Sequence, residues 1–246
     1  MEIIIAGHSH LSALGVPLQL PDGATGLVPV PDAPPHVKAL AGPWNGNRDA
    51  AYWEALAQHA AGNVIVLLWA GNQHNARFVL DAGTRFDFLL SDAPGEALLE
   101  GAVVAPRRAV EASLRPGVDG LPPRIAMLRS AGAVRILLCE TPPPRRDLSG
   151  VIHVAQGSDF WRRRMEQLQV DPESLQFYPA SVRLKLWKLL MRMTAEAGET
   201  AMISAPPEAL EPEGYLAPQF GATDLTHANR DYGRILLGHL MKELAA

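Results

Sequence analysis

The run Asn63–Trp69, NVIVLLW, is the strongest constraint on how this chain can fold, because it reads as a strand with no polar face. A strand that is apolar on both sides must be covered on both sides, as in a parallel sheet flanked by helices. Glu2–Ala6 and Val134–Glu140 read the same way, and Gly26–Val30 and Thr200–Ser204 are shorter candidates. Between the strands lie helix-compatible segments: Ser9 to about Val16, Arg48–Ala61, Pro106–Leu114 and Leu121–Ala131. Ser181–Ala197 places Val182, Leu186, Leu189, Leu190, Met193 and Ala197 on one stripe. Asn229 is placed to cap a final helix with Tyr232, Ile235, Leu236, His239, Leu240 and Leu244 on its stripe. Strands alternating with helices predict an α/β fold with a five-stranded, mostly parallel sheet and right-handed crossovers. Pro31–Pro43 reads as a proline-rich loop, and Arg85–Leu90 as a short extra strand. Two poorly periodic stretches, about 75–120 and 145–179, read as loop insertions. No linker or internal repeat divides the chain, so a single domain over 1–246 is expected.

At 246 residues and 48% hydrophobic content, the chain can bury a sizeable core. A net charge of −4 supplies no basic footprint for nucleic acid. Cys139 is the only cysteine, so no intrachain disulfide can form, and its place at a strand end suits a small apolar role. No apolar run approaches the roughly 18 residues of a membrane span. The sequence enters its first strand without a basic leader or a small-residue cleavage site, so a cytoplasmic location is expected. The basic patch Arg162–Arg164 reads as a solvated face, and Trp44, Trp53 and Trp161 as core or subdomain contacts before pocket walls.

Chemistry-bearing side chains gather in Gly7–His10, Gly71–Asn75 and Asp224–His227. The first two clusters follow strands, and parallel strands open their carboxyl ends on one edge, where ligands bind. Serine attack on an acyl group requires a base within hydrogen-bond reach, a carboxylate to hold the base's tautomer, and donors for the oxyanion. Ser9 supplies the hydroxyl, His227 the base and Asp224 the carboxylate. The Ser9 N–H, the Gly46 N–H and the Asn72 side-chain amide are the candidate oxyanion donors. His8, His10 and His74 are expected to shape the pocket mouth. The plainer readings are a helix cap for Ser9 and a hydrogen-bonded turn before a helix for Asp224 and His227.

In this order the blocks resemble those of the SGNH/GDSL hydrolase superfamily over nearly the whole chain. Gly7-His8-Ser9-His10 is similar to the nucleophile block, and Gly46 stands for the glycine block. Ala70-Gly71-Asn72-Gln73-His74 is similar to the asparagine block, and Asp224-Leu225-Thr226-His227 to the terminal DxxH block. The resemblance implies a three-layer α/β/α, flavodoxin-like fold and a serine ester hydrolase of esterase, acetylesterase or lipase type. It implies no cofactor and a small-molecule acyl ester as substrate. His8 and Gln73 stand where the family carries aspartates, so the supporting shell differs. Two other readings are open to the same residues. One is a metal-dependent hydrolase built on His8, His10, His74, Asp224 and His227. The other is a ligand-binding protein that keeps the fold without catalysis.

Overall fold

The computed structural model of the protein describes residues 1–7, 9–18, 20–21, 23–42, 50–69, 78–92 and 96–245. Its main sheet holds β1 (Ile3–Gly7), β2 (Gly26–Pro29), β3 (Val37–Ala41), β4 (Val64–Leu68), β7 (Arg135–Cys139) and β8 (Met202–Ile203). The strand order is β2-β3-β1-β4-β7-β8. All neighbours are parallel except β2 with β3, whose register sets Val28 opposite Ala39. Taken alone, the parallel strands follow the flavodoxin-like 2-1-3-4-5 order. A separate pair joins β5 (Phe86–Asp87) to β6 (Val103–Val104).

Side-chain alternation divides the core into two layers. Ile4, Ala6, Ile65, Leu67, Ile136 and Leu138 face one side, with α1 (Ala50–Gln58), α3 (Leu121–Ser130) and α6 (Ala180–Gly198). Ile3, Ile5, Val64, Val66, Leu137 and Cys139 face the other, with the 3-10 turn Ser9–Leu14 and α7 (Arg230–Ala245). Helical cover on both faces is why the central strands read as unbroken apolar runs. A further helix, α2 (Arg107–Leu114), buries Val110 and Leu114.

The sheet has six strands where five were expected. The addition is β3, inside the stretch read as a proline-rich loop. Pro34 and Pro35 precede it, so they cost it no ladder hydrogen bond, and Val37, Ala39, Leu40 and Ala41 are buried. The segment 145–179 is also more ordered than its periodicity suggested. It contains α4 (Ile152–Gly157) and α5 (Asp159–Leu168) over a satellite core that includes Ala155, Trp161, Met165 and Leu175. Trp161 and Met165, four residues apart, are the buried residues of α5, too few to announce a helix. Arg162 and Arg163 are exposed, in keeping with a solvated face.

Two close approaches position the sheet edge. A Cβ at Gly7 would lie 2.7 Å from Leu68 Cβ and from Leu68 O, so glycine lets β1 and β4 meet just before Ser9. A Cβ at Gly233 would lie 1.8 Å from Ala13 O, so glycine also lets α7 seat against the turn that begins at Ser9. Among the described residues, no helix is long and apolar enough to cross a membrane.

Candidate active site

Ser9 opens the 3-10 turn directly beyond β1, and its carbonyl accepts a 2.6 Å hydrogen bond from Ser12 Oγ. The carboxyl edge of the parallel strands therefore presents the hydroxyl, as the strand-turn reading required. Asp224 and His227 lie on the loop before α7. Asp224 Oδ1 accepts the backbone N–H groups of Thr226 and His227, both at 2.8 Å. That local turn folds the carboxylate back toward the imidazole three residues on, and Asp224 Oδ2 lies 2.8 Å from His227 Nδ1. His227 Nε2 lies 2.7 Å from Ser9 Oγ, across 218 positions of sequence. Asn229 Oδ1 then accepts from Asp231 N and Tyr232 N at 3.0 and 3.1 Å, capping α7 as the sequence suggested.

Electrostatics sets the direction of this chain of contacts. Burial works to raise the Asp224 carboxyl. The hydrogen bond and charge of His227, joined by the Thr226 and His227 N–H groups, outweigh it and hold the carboxyl at about 2. Asp224 is therefore an anion at neutral pH, and an anion can only accept. The imidazole proton belongs on Nδ1, which leaves Nε2 to accept the Ser9 hydroxyl proton. His10 is buried rather than at a pocket mouth, and its ring lies 5.0 Å from that of His227.

A residue that sequence reasoning missed holds the loop from behind. The Arg145 guanidinium donates to the carbonyl of Ala222 at 3.0 Å and to the carbonyl of Asp224. Buried Arg183 in turn donates to the carbonyls of Arg145 and Arg146, both at 2.9 Å. No local pattern marks these contacts, because each reaches a carbonyl at least 37 residues away in sequence. Cys139 takes no part. Burial, helped by the charge of Glu140, pushes its thiol up to about 12, which leaves it inert as a nucleophile.

Ser9, His10, Asp224 and His227 are thus brought together. His8, Gly46, Asn72 and His74 lie outside the described residues, as do Gln73 and Trp44. Among the described residues, no group of three His, Cys, Asp or Glu side chains could hold a metal ion. Trp53 is a core residue, whereas Trp161 belongs to both the satellite core and a cavity wall.

The fold and site define an α/β protein with a serine, an imidazole and a carboxylate hydrogen-bonded in series at the carboxyl edge of a parallel sheet. No family model matches the chain, and no curated protein matches it. Among solved structures, it is similar to a GDSL-like lipase from Bacteroides thetaiotaomicron, at 10% identity and a TM-score of 0.47, over 99% of this chain and 87% of that one. It is similar to a variant of an acetyl-xylooligosaccharide esterase from Geobacillus stearothermophilus, at 11% identity and a TM-score of 0.46, over 100% and 94% of the two chains. A third similar structure is an alpha/beta hydrolase enzyme from the metagenome of Lake Arreo, at 14% identity and a TM-score of 0.46, over 99% and 94%.

Proposed function

We propose that residues 1–246 form a single domain of the SGNH/GDSL hydrolase type, acting as a serine ester hydrolase on small acyl esters. The observation that carries the reading is the unbroken series Ser9 Oγ, His227 Nε2, His227 Nδ1, Asp224 Oδ2, with contacts of 2.7 and 2.8 Å. Ser9 Oγ attacks the ester carbonyl as its proton passes to His227 Nε2. Asp224 keeps the imidazole in the productive tautomer and stabilises the imidazolium that forms. The Ser9 N–H is one donor to the oxyanion, and the Gly46 N–H and the Asn72 amide are proposed as the others. As the tetrahedral intermediate collapses, His227 returns the proton to the departing alcohol. Water, activated by the same imidazole, then releases the acid.

Hydrolysis of p-nitrophenyl acetate, with and without chelator, tests this directly. The expected result is turnover that survives chelator, together with a fluorophosphonate adduct mapped to Ser9. Turnover that depends on added metal, or an unlabelled Ser9 in an inactive protein, would sink the reading.

Asp224 carries a second expectation. Asp224→Asn lowers kcat by about 10⁴-fold, because an amide no longer enforces the Nδ1–H tautomer. Its stability signature follows from the depressed carboxyl, which is lowered from 3.8 to about 2. A lowered folded value adds stability above the unfolded value and loses it as pH falls through the folded one. Urea unfolding should therefore separate the parent from Asp224→Asn at pH 7, and the gap should close as pH falls from about 4 toward 2. A gap that stays constant over that range would show that the carboxylate charge contributes nothing to folding.

A further inference from the structure

A cavity of about 320 Å³ lies against the imidazole. Asp224, Thr226 and His227 form one wall. Val154 of α4, Ser158, and Phe160 and Trp161 of α5 form the other. The segment 145–179 thus reaches the site through its two helices. We propose that this cavity receives the apolar part of the ester's alcohol, as a small aryl-alkyl or branched alkyl group. The proposal rests on the serine ester hydrolase reading above.

The side of the ester follows from the proton path. When the intermediate collapses, the bond between the carbonyl carbon and the alcohol oxygen breaks. Its electron pair goes to that oxygen, the proton on His227 Nε2 joins it, and the acyl group stays on Ser9 Oγ. The departing oxygen must therefore lie at the imidazole, while the carbonyl oxygen points to the Ser9 N–H. A group carried on the departing oxygen continues along the His227 side, where the cavity begins. The acyl group extends from the carbonyl carbon, on the Ser9 side of that junction.

The chemistry of the group follows from the wall. Val154, Phe160 and Trp161 bring apolar side chains to the lining, and Ser158 and Thr226 are its uncharged polar residues. Phe160 is 56% exposed, unusually open for a phenylalanine, and meets Trp161 edge-on with ring centroids 5.0 Å apart. A ring or branched chain in the cavity would cover that surface and extend the aromatic cluster. A cavity of about 320 Å³ is near the lower end of ligand pockets, which suits a short group and not a long chain.

Two acetates with alcohols of similar basicity separate binding from leaving-group reactivity: ethyl acetate and 2-phenylethyl acetate. The expected result is a kcat/KM for 2-phenylethyl acetate at least about tenfold above that for ethyl acetate, expressed mainly in KM. Phe160→Ala, at an exposed position, should shrink that ratio severalfold. Val154→Trp, which fills the cavity, should do the same by exclusion. Neither should change the ratio between ethyl acetate and ethyl butyrate, which differ only in the acyl group. If both variants hydrolyse esters through Ser9 but alter the acyl ratio and not the alcohol ratio, the cavity assignment is overturned and the hydrolase reading stands. If the parent shows no preference between the two alcohols, the assignment is likewise overturned. If the parent turns over no ester and Ser9 takes no fluorophosphonate, the hydrolase reading itself falls and the assignment with it.

Discussion

Ser9→Ala is expected to lower p-nitrophenyl acetate hydrolysis by about 10⁴- to 10⁶-fold while the protein stays folded. A serine, base and acid that act as a unit lose most of their joint effect when the nucleophile is removed, leaving only what binding and the oxyanion donors supply. The structural cost is small by comparison. Ser9 Oγ gives up its 2.7 Å contact with His227 Nε2, at a half-open sheet edge. A lost hydrogen bond of that kind is worth about 1 kcal/mol, so its loss should move Tm by about 2–4 °C. The pairing of the two readouts is diagnostic. A large kinetic loss with a small thermal shift fits a nucleophile. A small kinetic loss with the same thermal shift fits the helix-cap reading of Ser9 and would remove it from the chemistry.

The largest stability effect is expected at Lys185. Lys185 is 1% exposed, as is Asp87, and the ammonium and carboxylate meet at 3.0 and 3.1 Å. Lys185 Nζ also donates to the Ala97 carbonyl at 3.2 Å. The Asp87 oxygens accept the Phe88 and Leu99 N–H groups at 2.7 and 2.8 Å. The carboxylate thus ties β5 to the chain at Leu99, and the lysine ties both to α6. Lys185→Met keeps the apolar stem and removes the charge, which leaves Asp87 buried without its counter-ion. Breaking a buried pair on one side costs about 3–5 kcal/mol. For a chain of this size that is a fall in Tm of roughly 10 °C, measurable by calorimetry. An unchanged Tm would mean that the pair only offsets its own desolvation through some relaxation of the site.

That Ser9, Asp224 and His227 come together could be read from the sequence, and the reason is physical. Ser9, Asp224 and His227 are polar side chains in turns, where nothing but local hydrogen bonding competes with a chemical role. Their order along a strand-helix alternation then implied a common edge. β1, β4 and β7 were legible because both their faces are covered. β3 was hidden by the prolines on either side of it. α4 and α5 were hidden because they pack on a small satellite core and leave most of their surface to solvent. Arg145 and the Phe160 wall could not be read at all. One acts through carbonyls 77 and 79 residues away, and the other matters only because the fold sets it opposite His227.

The seating of α7 on the Ser9 turn, through Gly233 against Ala13, has a consequence for how the protein is made. Ser9 leaves the ribosome 218 positions ahead of His227. At ordinary elongation rates that is a delay of roughly 10–45 s. Throughout that time Ser9 lacks the His227 imidazole. The proposed hydrolysis would begin only once His227 has emerged and α7 has docked on the Ser9 turn. Appearance of hydrolysis in a timed translation reaction would then mark the docking of α7, with no need for a separate reporter.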